Sequence, residues 1–220
     1  MTFLELCQRV RQEAGISGTG PLSTVSQSGE MRRVVDWTKT AWIDVQNEQT
    51  EWNFLQAPFS LTCVPGTSTY TAADATVTDL RAWDMQSMRV RVNVPDQTEL
   101  EPLDYRTFYD YFLLGTEQSG RPLYITATPS DSLQVSPNPN AAFILSGWYR
   151  KSPVAFTADA DVPAIGSEYH MIIVYRALMM YARYSAAPEV FDDAANNYRM
   201  LLAKMRRRYL PEMGESEPLV

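Results

Sequence analysis

The sequence predicts an α+β protein in which a β-rich segment is inserted between two helical stretches. Two observations carry that expectation. Apolar residues recur at helical spacing near both ends of the chain, and between them the period drops to two. Strands bracketed by helices, rather than alternating with them, argue against a parallel sheet. Size permits the arrangement: 220 residues with 45% hydrophobic content bury roughly 70% of the unfolded surface, enough for one large domain or two small ones.

The first element is a short amphipathic helix. Thr2 and Glu5 form a capping box, and Phe3, Leu6, Cys7, Val10 and Ala14 follow at helical spacing until Gly15 stops it. Residues 15–29 are rich in Gly, Ser and Thr around Pro21, which is loop composition. A second helix is expected from near Ser28 to about Asn53. Met31, Val34, Val35, Thr38, Ala41, Trp42 and Val45 form its apolar stripe, and Trp37 widens it.

From Phe59 the period is two. Phe59, Leu61 and Cys63 alternate with Ser60, Thr62 and Val64, and Pro65-Gly66 turns the chain into a strand from Thr67 to Thr71. Met88, Val90, Val92 and Val94 alternate with Arg89, Arg91 and Asn93 up to Pro95-Asp96. Asp104 then caps an aromatic run, Tyr105 to Phe112, expected as a two-turn helix over the sheet that stops at Gly115. Further strands are expected at Leu123 to Thr128, Leu133 to Ser136 and Phe143 to Arg150, with Pro137 to Asn140 as the turn between the last two.

After Pro163 helical spacing returns. Ser167 is the expected cap of a run from Tyr169 to Ala186 that is apolar nearly all round, so it belongs in a core or against a neighbouring subunit. Pro188, at a first helical position, opens a last helix carrying Phe191, Ala194, Ala195, Tyr198, Leu201, Leu202 and Met205, and Pro211 ends it. The expected architecture is therefore a four-helix bundle from residues 1–55 and 160–210, an inserted antiparallel β-sandwich-like domain over 56–159, and an extended C-terminal arm over 211–220.

Charge and composition exclude several functions. The formal net charge of −7 provides no positive field for tight sequence-independent DNA binding. No stretch approaches the roughly 20 apolar residues of a membrane span, and Met1-Thr2-Phe3-Leu4-Glu5 lacks the basic region of a signal peptide, so synthesis in the cytoplasm is expected. Cys7 and Cys63 are expected as small buried hydrophobes rather than a disulfide framework. Trp and Tyr are abundant, which suits a large core or a large interface.

A catalytic constellation is hard to assemble from these residues. The single histidine, His170, has no histidine or cysteine partner at zinc spacing and is expected to serve packing or an interface. Gly15, Gly18 and Gly20 follow a helix, the wrong context for a phosphate-cradling loop, and no Gly-x-Ser-x-Gly elbow occurs. Asp159 with Asp161, and Asp192 with Asp193, are the acidic pairs that a metal site or glycosidase would need; turn and helix-start roles account for them. No catalytic residue, metal ligand or cofactor is therefore assigned. Lys204, Arg206, Arg207 and Arg208 complement the last helix's dipole but exceed that need, pointing to an acidic partner surface or passing DNA.

The chain resembles the head-to-tail adaptor (connector) proteins of tailed bacteriophages, in the variety with an inserted β domain. The resemblance lies in Phe3-Leu4-Glu5-Leu6-Cys7-Gln8-Arg9-Val10, in Val34-Val35-Asp36-Trp37 through Ala41-Trp42-Ile43, and in Arg121-Pro122-Leu123-Tyr124-Ile125. It continues through Leu133-Gln134-Val135-Ser136-Pro137, Trp148-Tyr149-Arg150-Lys151-Ser152-Pro153, Pro163, Tyr169 and Arg176-Ala177-Leu178. It implies a non-enzymatic virion protein forming a ring, typically dodecameric, that binds the portal protein, meets the tail nozzle or tail-tube proteins, and lets the genome DNA pass without specific binding. The family's C-terminal arm maps onto about Arg206 to Val220, making Arg206, Arg207, Arg208, Tyr209, Leu210, Met213, Leu219 and Val220 the candidate portal or partner contacts. The aromatic run from Tyr105 to Phe112 has no counterpart in that pattern. The alternative is a tail or baseplate module that binds a receptor or carbohydrate through the β domain's aromatics.

Overall fold

The computed structural model describes residues 1–93, 95–114 and 118–210. Helices α1 (Phe3–Glu13) and α2 (Gly29–Asn47) come first. Strands β1 (Gln56–Thr62), β2 (Thr69–Tyr70), β3 (Leu80–Arg91), β4 (Gln97–Glu99) and β5 (Glu101–Pro102) lead to the short helix α3 (Tyr105–Phe108). Then follow β6 (Ser119–Gly120), β7 (Tyr124–Ala127), β8 (Leu133–Ser136), β9 (Asn138–Pro139) and β10 (Ile144–Lys151), and finally α4 (Met171–Ser185) and α5 (Pro188–Tyr209). The protein is thus α+β, with five helices among the described residues and mostly antiparallel sheets. Two compact units result: residues up to Phe54 with those from Pro153 onward, and Leu55–Ser152.

In the helical unit the capping box forms as the spacing predicts. The Thr2 amide donates to Glu5 Oε2 at 2.8 Å and the Glu5 amide to Thr2 Oγ1 at 3.3 Å, while Gly15 leaves the helix at φ +67°. Two more amides at the start of α1 donate to a loop, Phe3 to the Asp161 carbonyl at 2.7 Å and Leu4 to that of Asp159 at 3.1 Å. Helix α2 is shorter than the expected stretch to Asn53. Trp52 folds back, fully buried, and its Nε1 donates to the Val45 carbonyl at 3.1 Å, which also accepts the Glu48 amide at the end of the helix.

Helix α4 packs against α1, α2 and α5. No residue from Met171 to Ala182 is exposed, as its all-round apolar composition predicts. Ser167 does not cap it: Ser167–Tyr169 form a 3-10 turn, and His170, with helical dihedrals, occupies the cap position without a side-chain cap bond. The core of this unit runs through ring contacts. Phe156 stacks on Phe3 at 4.8 Å and on Trp42 at 5.8 Å; Phe54 meets Trp42, Trp52 and Tyr209 at 6.2, 5.6 and 5.4 Å.

The β unit has one antiparallel sheet of order β1-β10-β3-β4 and a second of order β2-β8-β7-β5. Both contribute to one buried cluster, including Phe59, Leu61, Tyr70, Met88, Val90, Ile125, Leu133, Val135 and Leu145. Two short parallel pairs depart from the all-antiparallel expectation. Strand β5 adds to the edge of the second sheet beside β7, and β9, within the segment expected as a plain turn, pairs with β6. Each holds a proline, whose missing N–H suits such edge positions.

Strand β3 begins at Leu80, well before the alternation starting at Met88. A register shift between Ser146 and Trp148 on β10 breaks the period there. Gly147 sits at this irregularity, and a Cβ on it would lie 2.7 Å from Met88 Sδ and 3.2 Å from Phe59 Cε1. Ser87 Oγ accepts the Trp148 amide at 2.8 Å and donates to the Asp84 carbonyl at 2.8 Å, so the disturbed ladder leaves neither group open. The aromatic run is only partly the expected two-turn helix: α3 closes after four residues and a π-type turn, Tyr109–Leu113, follows.

Candidate interaction surfaces

His170, Asp159, Asp161 and the two cysteines are each held in local contacts. His170 is 2% exposed, with Nε2 donating to the Ile165 carbonyl at 3.1 Å and Nδ1 2.7 Å from the Met1 amino nitrogen. Burial, the largest influence, holds its pKa below the usual imidazole value. Asp159 Oδ1 accepts the amide and hydroxyl of Thr24, whereas Asp161 Oδ2 accepts the amides of Thr157 and Ala158 at 2.6 and 2.8 Å. Hydrogen bonds lower both carboxyl pKa values, the Thr24 hydroxyl foremost for Asp159 and the Ala158 amide for Asp161. The two carboxylates thus fasten different loop segments instead of converging on one reactant. Cys7 and Cys63 are buried free thiols; burial pushes Cys7 up to about 12 and raises Cys63 as well. Among the described residues, no group of three or more His, Cys, Asp and Glu side chains is placed to hold a metal ion.

The basic end of α5 divides by role. Arg206 reaches back to Glu48 at 3.8 Å, and Glu48 also accepts the Tyr198 hydroxyl at 2.8 Å. Tyr209 faces the helical unit: its ring meets Phe54 and Tyr169 edge-on at 5.4 and 5.6 Å, and its hydroxyl accepts the Gly166 amide at 2.7 Å. Leu210 is half-buried. Arg207 and Arg208 are exposed, with no ion-pair partner among the described residues. Met213, Leu219 and Val220 lie outside the described residues.

On the β unit, Asp104 Oδ1 accepts the amides of Arg106 and Thr107 at 3.1 and 3.0 Å, starting the aromatic run. Phe108 is buried beneath it, and Phe112 packs on Tyr124 at 5.1 Å, while Tyr109, Tyr111 and Leu114 are exposed. Trp148 lies exposed opposite Pro58 and Asp84, beside a hollow of about 350 Å³ lined also by Arg89 and Gln97.

Sequence reasoning missed a third surface, at the end of α4. Arg33 lies 4.1 Å over the exposed Tyr184 ring, which packs against Trp37 at 5.7 Å, and Arg183 lies 5.3 Å from the Phe191 ring. Helical spacing put Trp37 near the stripe, but nothing local reveals that Arg33 of α2 meets Tyr184 of α4.

Aromatic and basic groups thus stand at exposed surfaces, the residue types enriched where proteins bind one another. The family model of the SU10 adaptor protein matches residues 1–218, and the chain belongs to that family. It is a bacteriophage adaptor, a structural protein of the virion that interacts with other phage head and tail proteins. No curated protein sequence matches the chain. No helix among the described residues is long and apolar enough to cross a membrane.

Proposed function

We propose that the protein forms a ring, dodecameric in the virion, that binds the portal protein, extends its DNA channel and offers a platform to the tail nozzle or tail-tube proteins. The family match over nearly the whole chain carries this reading. In it α1, α2, α4 and α5 make a four-helix bundle, the two sheets make a sandwich-like insertion, and residues 211–220 make an arm that docks on the portal. The net charge of −7 suits a channel through which DNA slides without being gripped.

Arg207 and Arg208, exposed just ahead of the arm, would meet acidic groups of the partner. Tyr209, tied to Gly166, would fix the point from which the arm departs.

Electron microscopy of the chain mixed with its portal tests the ring; a field without annular or portal-bound particles rejects it. Deleting Pro211 to Val220 tests the arm. The truncated protein keeps its circular dichroism and thermal transition but no longer docks, and undiminished docking removes the arm assignment. A receptor- or carbohydrate-binding role has one observation in its favour, the exposed Trp148 beside the hollow on the first sheet. Trp148-dependent binding on a glycan array would establish it.

A further inference from the structure

We propose that two faces of the helical unit, one rich in arginine and aromatic rings and the other acidic, are the complementary halves of the contact between neighbouring copies of this chain; the inference rests on the ring reading and names the surface that builds it.

The first face lies where α4 passes into α5. The Arg33–Tyr184 and Arg183–Phe191 pairs stand there, and Tyr184 is 58% exposed with the Arg33 guanidinium over its ring and Trp37 packed against it. Beside them Ala182, Ala186, Ala187, Pro188 and Phe191 line an apolar hollow of about 440 Å³. Arg183 and Asp192 both line this hollow, and Arg33 stands exposed over Tyr184 with no ion-pair partner among the described residues. Arginine and tyrosine around an apolar recess are the residue types that dominate binding energy at protein interfaces.

The second face lies on another side of α5. A hollow of about 260 Å³ is lined by Tyr175, Leu178, Val190 and Ala194, with Glu13, Asp193 and Asn197 also contributing. Glu13 is shared with Arg9 at 2.5 Å, an exposed i,i+4 pair of little net worth, and Asp193 is exposed with no ion-pair partner among the described residues. Val190 and Asp193 line this hollow, whereas Phe191 and Asp192 line the first.

Charge complementarity selects a second copy as the occupant: the basic aromatic face of one chain fits the acidic face of the next. Because the faces differ, the contact is heterologous, the type that generates a ring when its rotation closes. An acidic chain would otherwise repel its copies, so an arginine-bearing face turned toward carboxylates also sets which sides can meet.

A charge exchange in the full-length protein tests the contact, read by native mass spectrometry with and without portal. Arg33→Glu/Arg183→Glu places acid against acid, and Glu13→Arg/Asp193→Arg places base against base. Each variant alone should lose association by at least roughly tenfold while its circular dichroism and melting stay at wild-type values. Mixed in equal amounts they should reassemble, because both new contacts are then attractive. Wild-type assembly by the arginine variant, or folded variants that fail to reassemble when mixed, overturns the contact and leaves the ring reading standing. A wild type that never assembles, alone or on the portal, overturns the ring reading and this contact with it.

Discussion

Replacing Phe156 by alanine should cost about 3–5 kcal/mol, the range for removing a buried aromatic side chain from a packed site. Phe156 is 4% exposed and lies between Phe3 and Trp42, with ring centroids 4.8 and 5.8 Å away. Truncation deletes both stacked contacts and opens a cavity beneath α1. The loss extends past the ring, because the same irregular segment supplies the Asp159 and Asp161 carbonyls that accept the Leu4 and Phe3 amides. A typical domain's total stability of about 5–15 kcal/mol makes such a change large. Urea unfolding followed by tryptophan fluorescence measures it, with hydrogen exchange at Phe3 and Leu4 reporting whether the start of α1 frays. Phe156→Leu, which keeps most of the volume, should cost under about 1.5 kcal/mol. A loss below about 1 kcal/mol for Phe156→Ala, with those amides still protected, would refute the idea that this ring clamps the loop to the helices.

Other perturbations separate further parts of the structure. Gly147→Ala should destabilise the β unit by about 1–3 kcal/mol, since its Cβ would meet Met88 Sδ at 2.7 Å inside the core; a neutral result in denaturant titration would show that β10 yields locally. Tyr209→Phe should cost about 1–3 kcal/mol by leaving the Gly166 amide without its acceptor, visible as faster exchange at that amide. His170, neutral in the fold with its pKa lowered by burial, contributes fully above the unfolded value of 6.5. As pH falls below that value the unfolded chain takes up the proton first, so stability should decline with a slope approaching about 1.4 kcal/mol per pH unit until the folded histidine also protonates. As the chain's only histidine it can be isolated by His170→Gln, which should flatten the slope; an unchanged slope would assign it to the carboxylates.

Local chemistry explains which elements were legible in the sequence. The Thr2–Glu5 box, the Asp104 cap and Pro188 at the head of α5 act within a turn or two, so residue identity is enough to find them. The end of α2 was not legible because it depends on Trp52 turning back to Val45, a contact formed only once the core closes. The early part of β3 was missed because the irregularity opposite Gly147 removes the alternation that announces a strand. Of the candidate surfaces, the basic end of α5 was visible as a run of like charges. That Arg206 is engaged by Glu48, and Tyr209 by Gly166, Phe54 and Tyr169, needed the partners brought together in space. The Arg33–Tyr184 pair joins residues far apart in the chain, and no spacing rule reaches that distance.

Strands β1 and β10 lie side by side, with Gln56 opposite Arg150. The polypeptide therefore departs for its excursion and comes home at neighbouring points, separated by about the 5 Å between paired strands. A cassette hung from two adjacent threads can be exchanged, enlarged or deleted in evolution while the scaffold that carries it needs little more than a short turn to reseal. The same geography offers engineers a place to graft a foreign domain.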